Sequence, residues 1–329
     1  MMRASKFLLS LALACSVAVA QDRPAQQNPE EILNAVVGVS AKIRPNARSA
    51  ESLGTQRRGS GVLVREGYVL TIGYLVIEAE AIQVTGADGR TVPATLAGYD
   101  HASGFGLLKL VGPPPGKPLA LGDSKTLAER EPAMVVTAAA RDQPSLVYVV
   151  SRRPFSGNWE YLLDSAIFTY PPVMDWSGAP LIGAGGELLG IGSLVVPDAG
   201  APGTQSPGNM FVPVDLLKPI LDDLIAGGRR TGPARPWLGV NADEFRGRLF
   251  VARVSPDGPA ERAGLKSGDI VLAVGSDEVS TLADFYQRIW RRGAAGAEVP
   301  LKVLQGTRVR DVTVRSIDRM DYFRPAPTY

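Results

Sequence analysis

Asp175-Trp176-Ser177-Gly178-Ala179-Pro180-Leu181 is the stretch that decides how this chain is read. A serine before glycine, followed by proline, suits a tight turn that presents a hydroxyl. Apolar residues resume at Leu181-Ile182, a polar turn follows at Gly185-Gly186-Glu187, and Leu188-Leu189-Gly190-Ile191 is apolar again. The pattern reads as a turn, a short strand, a hairpin and a second strand. A hydroxyl is a poor nucleophile at neutral pH. It needs a base to take its proton, a third group to orient that base, and N–H donors for the oxyanion. The flanking sequence either supplies those partners or leaves Ser177 inert.

Working outward, the stretch resembles the nucleophile loop of trypsin-like serine proteases. Upstream, Gly59-Ser60-Gly61-Val62-Leu63-Val64 and Tyr68-Val69-Leu70-Thr71 read as two strands turned at Glu66-Gly67. This hairpin resembles the opening of HtrA-type (Deg-type) secreted serine proteases. Ala81–Val84 and Thr91–Leu96 flank an Asp88-Gly89 hairpin turn. Leu119–Ser124 matches the family's Leu-Gly-Asp-Ser turn, and apolar runs at 134–137, 145–150 and 161–163 read as further strands. Short, regularly spaced strands favour closed β-barrels.

The resemblance implies where the catalytic partners should stand, and the sequence departs there. The family's histidine follows Leu-Thr, which here is Leu70-Thr71-Ile72-Gly73-Tyr74, so Tyr74 takes the base position. A phenol with a pKa near 10 does not accept a proton at neutral pH as imidazole does. Its plain reading is an aromatic filling the histidine site. The family's acid position falls on Gly104, which has no side chain to orient anything. Asp175 replaces the glycine that normally helps form the oxyanion loop with Trp176 and Ser177, and its charge is adverse to an oxyanion. His101, the single histidine, is expected on a solvent-exposed loop. Ser177 is therefore either a nucleophile or a small hydroxyl suited to its turn. Phe211-Val212-Pro213 resembles the strand bordering the family's specificity pocket. Residues 215–225 have helical spacing, with Asp215 as the expected cap and Gly227-Gly228 as the stop.

The carboxy-terminal part resembles a PDZ domain. Gly258-Pro259-Ala260, then Ala263-Gly264-Leu265 and Gly268-Asp269, is the specific string, and Leu282, Phe285 and Ile289 share a helix face. Free N–H groups at Trp237-Leu238-Gly239-Val240 would hold a peptide's terminal carboxylate, and an exposed strand edge beside Phe285 and Ile289 would take the peptide as an added strand. The alternative is that this edge is already covered.

Met1 to Ala20 reads as a secretory signal peptide, with Arg3 and Lys6 before an apolar run and Ala18-Val19-Ala20 as cleavage site. Leu13-Ala14-Cys15 also fits a lipoprotein signal. Removing Arg3 and Lys6 leaves 33 basic against 33 acidic residues, which gives no support for nucleic-acid binding. Loss of Cys15 removes the only cysteine, and one histidine excludes a multi-histidine metal site. No cofactor is expected.

The reading is a mainly β chain: a trypsin-like double β-barrel followed by a PDZ domain, an α+β small β-sandwich with two helices. Its parts are a signal peptide (1–20), a linker (21–32), the degenerate protease domain (33–228), a linker (229–236), the PDZ domain (237–316) and a tail (317–329). The expected function is a secreted or periplasmic pseudoprotease that binds peptide or protein C-termini, including unfolded envelope proteins, in a scaffold or chaperone role. An active endopeptidase with a non-standard base and a PDZ adaptor are the alternatives. The resemblance also implies a trimer.

Overall fold

The computed structural model of the chain describes residues 28–323. The expected signal peptide and Cys15 lie outside them. Helix α1 (Pro29–Ala35) is capped by the Asn28 side chain and runs directly into a strand. The first barrel consists of β1 (Val36–Ile43), β2 (Gln56–Arg65), β3 (Tyr68–Ile72), β4 (Ala79–Thr85), β5 (Thr91–Asp100) and β6 (Phe105–Leu110), closed in the order β1-β2-β3-β6-β5-β4. A short helix, α2 (Ala50–Leu53), interrupts the loop before β2. The β4–β5 turn is held by Asp88, whose side chain accepts from Arg90 N.

The second barrel repeats the plan with β7 (Pro132–Val135), β8 (Ser145–Gly157), β9 (Tyr161–Tyr170), β10 (Pro180–Ile182), β11 (Leu188–Val196) and β12 (Gly208–Pro213), in the order β10-β11-β12-β9-β8-β7. Closure leaves neither barrel a bare strand edge. Helix α3 (Leu221–Gly227) packs on the first barrel and ends at left-handed Gly228. It starts later than its periodicity suggests. Asp215 does not cap it but accepts hydrogen bonds from the Ser124 amide (2.8 Å), the Ser124 hydroxyl and Lys218. The helix begins at Leu221, with Ile220 at its cap position and no side-chain cap bond, so Asp215 lies outside it.

The third unit is a six-stranded sheet of β13 (Val240–Phe245), β14 (Arg248–Val254), β15 (Ile270–Val274), β16 (Asp277–Glu278), β17 (Glu298–Gln305) and β18 (Arg308–Arg315). Two helices accompany it: α4 (Pro259–Arg262), with proline in its first turn, and α5 (Leu282–Trp290), capped by Thr281. Leu282, Phe285 and Ile289 are buried in its core with Leu238, Val240 and Leu301. Strand β13 is the sheet's edge. Residues 317–323 pack against the carboxy-terminal unit. Trp237 and Ile317 exchange backbone hydrogen bonds at 3.0 and 3.1 Å, and α6 (Arg319–Tyr322) packs its Tyr322 ring on Trp237 at 4.7 Å. No helix among the described residues is long and apolar enough to cross a membrane.

Candidate functional site

Ser177 sits where the two barrels meet. Its carbonyl accepts from Ser60 N of β2 at 2.8 Å, which pins the turn to the first barrel. The turn needs glycine next: Gly178 has φ +72, and a Cβ there would lie 2.1 Å from the Ser60 carbonyl oxygen. The 3₁₀ turn Gly73–Leu75 after β3 carries Tyr74 to Ser177. Arg57, buried beneath this turn, donates to the carbonyls of Tyr74 (2.7 Å) and Ile77 (3.1 Å). Burial lowers its pKa to about 10, against the pull of Glu78, so it remains charged at neutral pH.

The Tyr74 hydroxyl lies 2.8 Å from Ser177 Oγ and 2.8 Å from the Ser193 carbonyl of β11. It has one proton. Donated to Ser177, that proton occupies the nucleophile's lone pair. Donated to Ser193, it leaves a neutral phenol oxygen facing Ser177, which is a negligible base. Burial pushes the Tyr74 pKa up to about 12, against the hydrogen bonds of Ser177 and Trp176, so the hydroxyl stays protonated at physiological pH.

Gly104 is brought to the same place, since its carbonyl accepts from Gly73 N at 2.7 Å. Its φ is +81, and a Cβ would stand 3.4 Å from the Tyr161 hydroxyl and 3.7 Å from Ile72 Cδ1. Tyr161 and Ile72 thus flank, in ordinary contact, the point from which a side chain would leave. The Tyr161 hydroxyl donates to Ser103 O at 2.6 Å. Just upstream, Asp100 accepts a two-pronged bond from Arg230 (2.7 and 2.8 Å) and bonds from the Ser103 amide and hydroxyl. Burial raises its pKa, but these bonds outweigh burial and hold it below the usual carboxylate value. Asp100 therefore fixes the 100–104 turn and is already fully engaged.

Asp175 adopts φ +60, the left-handed region glycine reaches more easily, and is exposed, where solvent screens its charge. Trp176 Nε1 donates to Ser193 O at 3.2 Å. Ser193 and Leu194 of β11 line the cleft beside Ser177. Strand β12, with Phe211, Val212 and Pro213, pairs with β11 one strand further in, and Phe211 and Val212 are wholly buried in barrel core.

His101 also departs from expectation. It is not an exposed loop residue but is half-buried, edge-on to Tyr99 (4.4 Å) and stacked on Phe323 (5.7 Å). Both ring nitrogens are shut off from solvent without a hydrogen-bond partner. Burial, then the charge of Arg319, drives its pKa well below the ordinary histidine value. It shares with Ser177, Tyr74, Trp176 and Trp159 a cavity of about 840 Å³. The carboxy-terminal unit and α6 border this cavity: Arg48 donates to Pro256 O (2.6 Å) and lies 4.2 Å over the Tyr322 ring.

The expected carboxylate-binding turn forms, but it is not free. Leu238 N, Gly239 N and Val240 N all donate to the carboxylate of Glu160, at 2.9, 2.7 and 2.9 Å for the shortest contact of each. Edge strand β13 is engaged too, since Ala242 N donates to Asn158 O at 3.0 Å. Phe285 and Ile289 are wholly buried, and Leu162 of β9 packs within their cluster. Trp237 faces the cavity and the segment after 316. Burial pushes the Glu160 pKa up to about 7, against the pull of the Leu238 and Val240 amides, Arg319 and the Gly239 amide. No cluster of His, Cys, Asp and Glu suited to a metal ion occurs among the described residues.

Tyr161, Glu160 and Ser193 are the site residues that sequence reasoning missed. None carried a local signal, since the partner of each lies far away in the chain.

Comparison with known proteins agrees with this layout. Residues 59–191 match the trypsin-like peptidase domain family and residues 236–315 match the PDZ domain family. The chain is 32% identical over 305 residues to a probable periplasmic serine endoprotease, DegP-like, of Halomonas elongata, with 82% of this chain and 59% of that protein covered. It is 29% identical over 273 residues to the periplasmic pH-dependent serine endoprotease DegQ of Escherichia coli, covering 78% and 58%. The chain thus spans under two thirds of these relatives' length. Among solved structures, the HtrA-type protease AlgW with decapeptide superimposes with a TM-score of 0.54 at 22% identity, covering 92% of this chain and 100% of that one.

Proposed function

Because the chain is a trypsin-like peptidase domain followed by a PDZ domain, the arrangement of the HtrA and DegP-like serine endoproteases homologous to it, we propose that it is a catalytically silent member of that group. Its role is to bind peptide or unfolded protein in the periplasm, as scaffold, chaperone or regulator, without hydrolysing it. The observation that carries this reading is the protonated Tyr74 hydroxyl 2.8 Å from Ser177 Oγ, where a proton acceptor is required. Gly104, with Tyr161 packed beside it, supports the same conclusion. In a well-studied serine protease, losing the base alone costs on the order of a millionfold in turnover.

A second reading has one observation in its favour. His101 lines the same cavity as Ser177 and has no hydrogen-bond partner, so it is the one imidazole available as a non-standard base. Its depressed pKa makes it a weak acceptor, and Tyr74 stands directly against Ser177. Labelling with a serine-reactive phosphonate and casein hydrolysis, with Ser177→Ala as control, separates the two. Labelling and cleavage at background support the silent reading. Ser177-dependent cleavage that disappears in His101→Ala establishes the second.

A further inference from the structure

We infer that the β8–β9 turn, residues 157–162, is a built-in ligand of the PDZ groove, with the Glu160 carboxylate standing in for a peptide's terminal carboxylate. The second barrel and an external C-terminus then compete for the same three amides. The inference deepens the peptide-binding part of the proposed function and rests on it.

Each element of a bound peptide has a counterpart in the turn. The carboxylate sits on the amides of Leu238, Gly239 and Val240. Backbone pairing with the edge strand is supplied by Asn158 O, which accepts from Ala242 N, and the Asn158 side chain adds a bond to Asp243 at 3.1 Å. From α5, the Tyr286 hydroxyl donates to Gly157 O at 2.8 Å, and from α6, Arg319 donates to Trp159 O at 3.1 Å. Leu162 supplies the apolar side chain and packs in the cluster with Leu238, Phe285 and Ile289. Strand addition, carboxylate capture and an apolar anchor together constitute peptide recognition of this type.

The turn is built at a cost that its own conformation does not repay. β8 and β9 pair as far as Gly157 and Tyr161, so the loop is the three residues Asn158, Trp159 and Glu160. Hairpins of this length favour glycine at the last, left-handed position. Glu160 occupies it with φ +59. A strained non-glycine residue, buried and accepting from three amides of another domain, is there for its side chain. The next residue, Tyr161, is the one packed beside Gly104, and it lines the cavity that holds Ser177.

The test uses the full chain as wild type, Glu160→Ala and Glu160→Gln. Amide hydrogen exchange is read at Leu238, Gly239 and Val240. The wild type is expected to protect these amides, Glu160→Ala to exchange them at least tenfold faster, and Glu160→Gln to fall between. Circular dichroism confirms folding, and Glu160→Gln, which keeps the side chain's shape, serves alone where Glu160→Ala fails to fold. The binding probe is a pool of random decapeptides ending in an apolar residue with a free carboxylate, against the same pool amidated. Glu160→Ala is expected to bind the free-carboxylate pool at least tenfold more tightly than wild type and the amidated pool no better. Equal amide protection in wild type and Glu160→Ala overturns the inference, as does binding by Glu160→Ala no tighter than wild type. The exchange readout involves no hydrolysis, so a reactive Ser177 would remove the silent reading and leave this one standing.

Discussion

Tyr74→Phe isolates the contact on which the silent reading rests. The substitution removes one oxygen and keeps the ring. That oxygen is 2.8 Å from both Ser177 Oγ and Ser193 O. Ser193 O keeps a second donor, Trp176 Nε1, and Ser177 can turn its hydroxyl elsewhere, so no group is stranded. The stability loss is therefore expected at the low end of the range for a removed partner, about 1 kcal/mol. For a unit of this size that lowers Tm by about 2–4 °C, read by calorimetry. The chemical consequence is sharper. With a pKa of about 12, only about one Tyr74 in 10⁵ is ionised at pH 7, rising tenfold per pH unit. Phosphonate labelling of Ser177 from pH 6 to 10 should stay at background in both wild type and Tyr74→Phe. If wild-type labelling rises tenfold per unit and vanishes in Tyr74→Phe, tyrosinate is the base and the reasoning fails.

Three further outcomes are expected. Gly104→Asp, alone or with Tyr74→His, should lower stability by about 1 kcal/mol and not yield casein hydrolysis, because φ is +81 and the Tyr161 hydroxyl stands 3.4 Å from the new Cβ; thermal melts and a casein assay check it. Arg230→Ala strands the buried Asp100 carboxylate and should cost near the lower end of about 3–5 kcal/mol in urea unfolding, since Arg230 itself is 39% exposed. Asp100 has a folded pKa below its unfolded value, so its contribution is present above the unfolded pKa and lost as pH falls through the folded one; acid titration of wild type against Arg230→Ala reads this. Glu160 has the opposite sign. Its folded pKa of about 7 exceeds the ordinary 4.5, so between those values the folded state holds the extra proton and stability declines as pH rises. Wild type should lose Tm from pH 5 to 8 relative to Glu160→Gln, which lacks the titrating group.

What the sequence made legible follows the range of the forces involved. Strand alternation and turn chemistry are local, so both barrels, the Asp88-Gly89 hairpin and the PDZ string around Gly258-Pro259 could be read from neighbours in the chain. Tyr74 and Gly104 were legible for a different reason: each sits at a fixed offset from a motif, and the fold carries motif and offset together to Ser177. The misses all depend on residues far apart in sequence. Asp215 looked like a helix cap because its own segment has helical spacing, yet Ser124, 91 residues upstream, holds it. His101 looked exposed because its loop is polar, but Phe323 and Arg319 cover it from the other end of the chain. Glu160 is the extreme case: its carboxylate acquires meaning only against amides 78 to 80 residues away. A buried carboxylate accepting from three backbone N–H groups is a binding event within one chain, subject to the same competition as binding between two. The PDZ domain's accessibility to partners is therefore set by the second barrel, through a residue that neither domain's own motif contains.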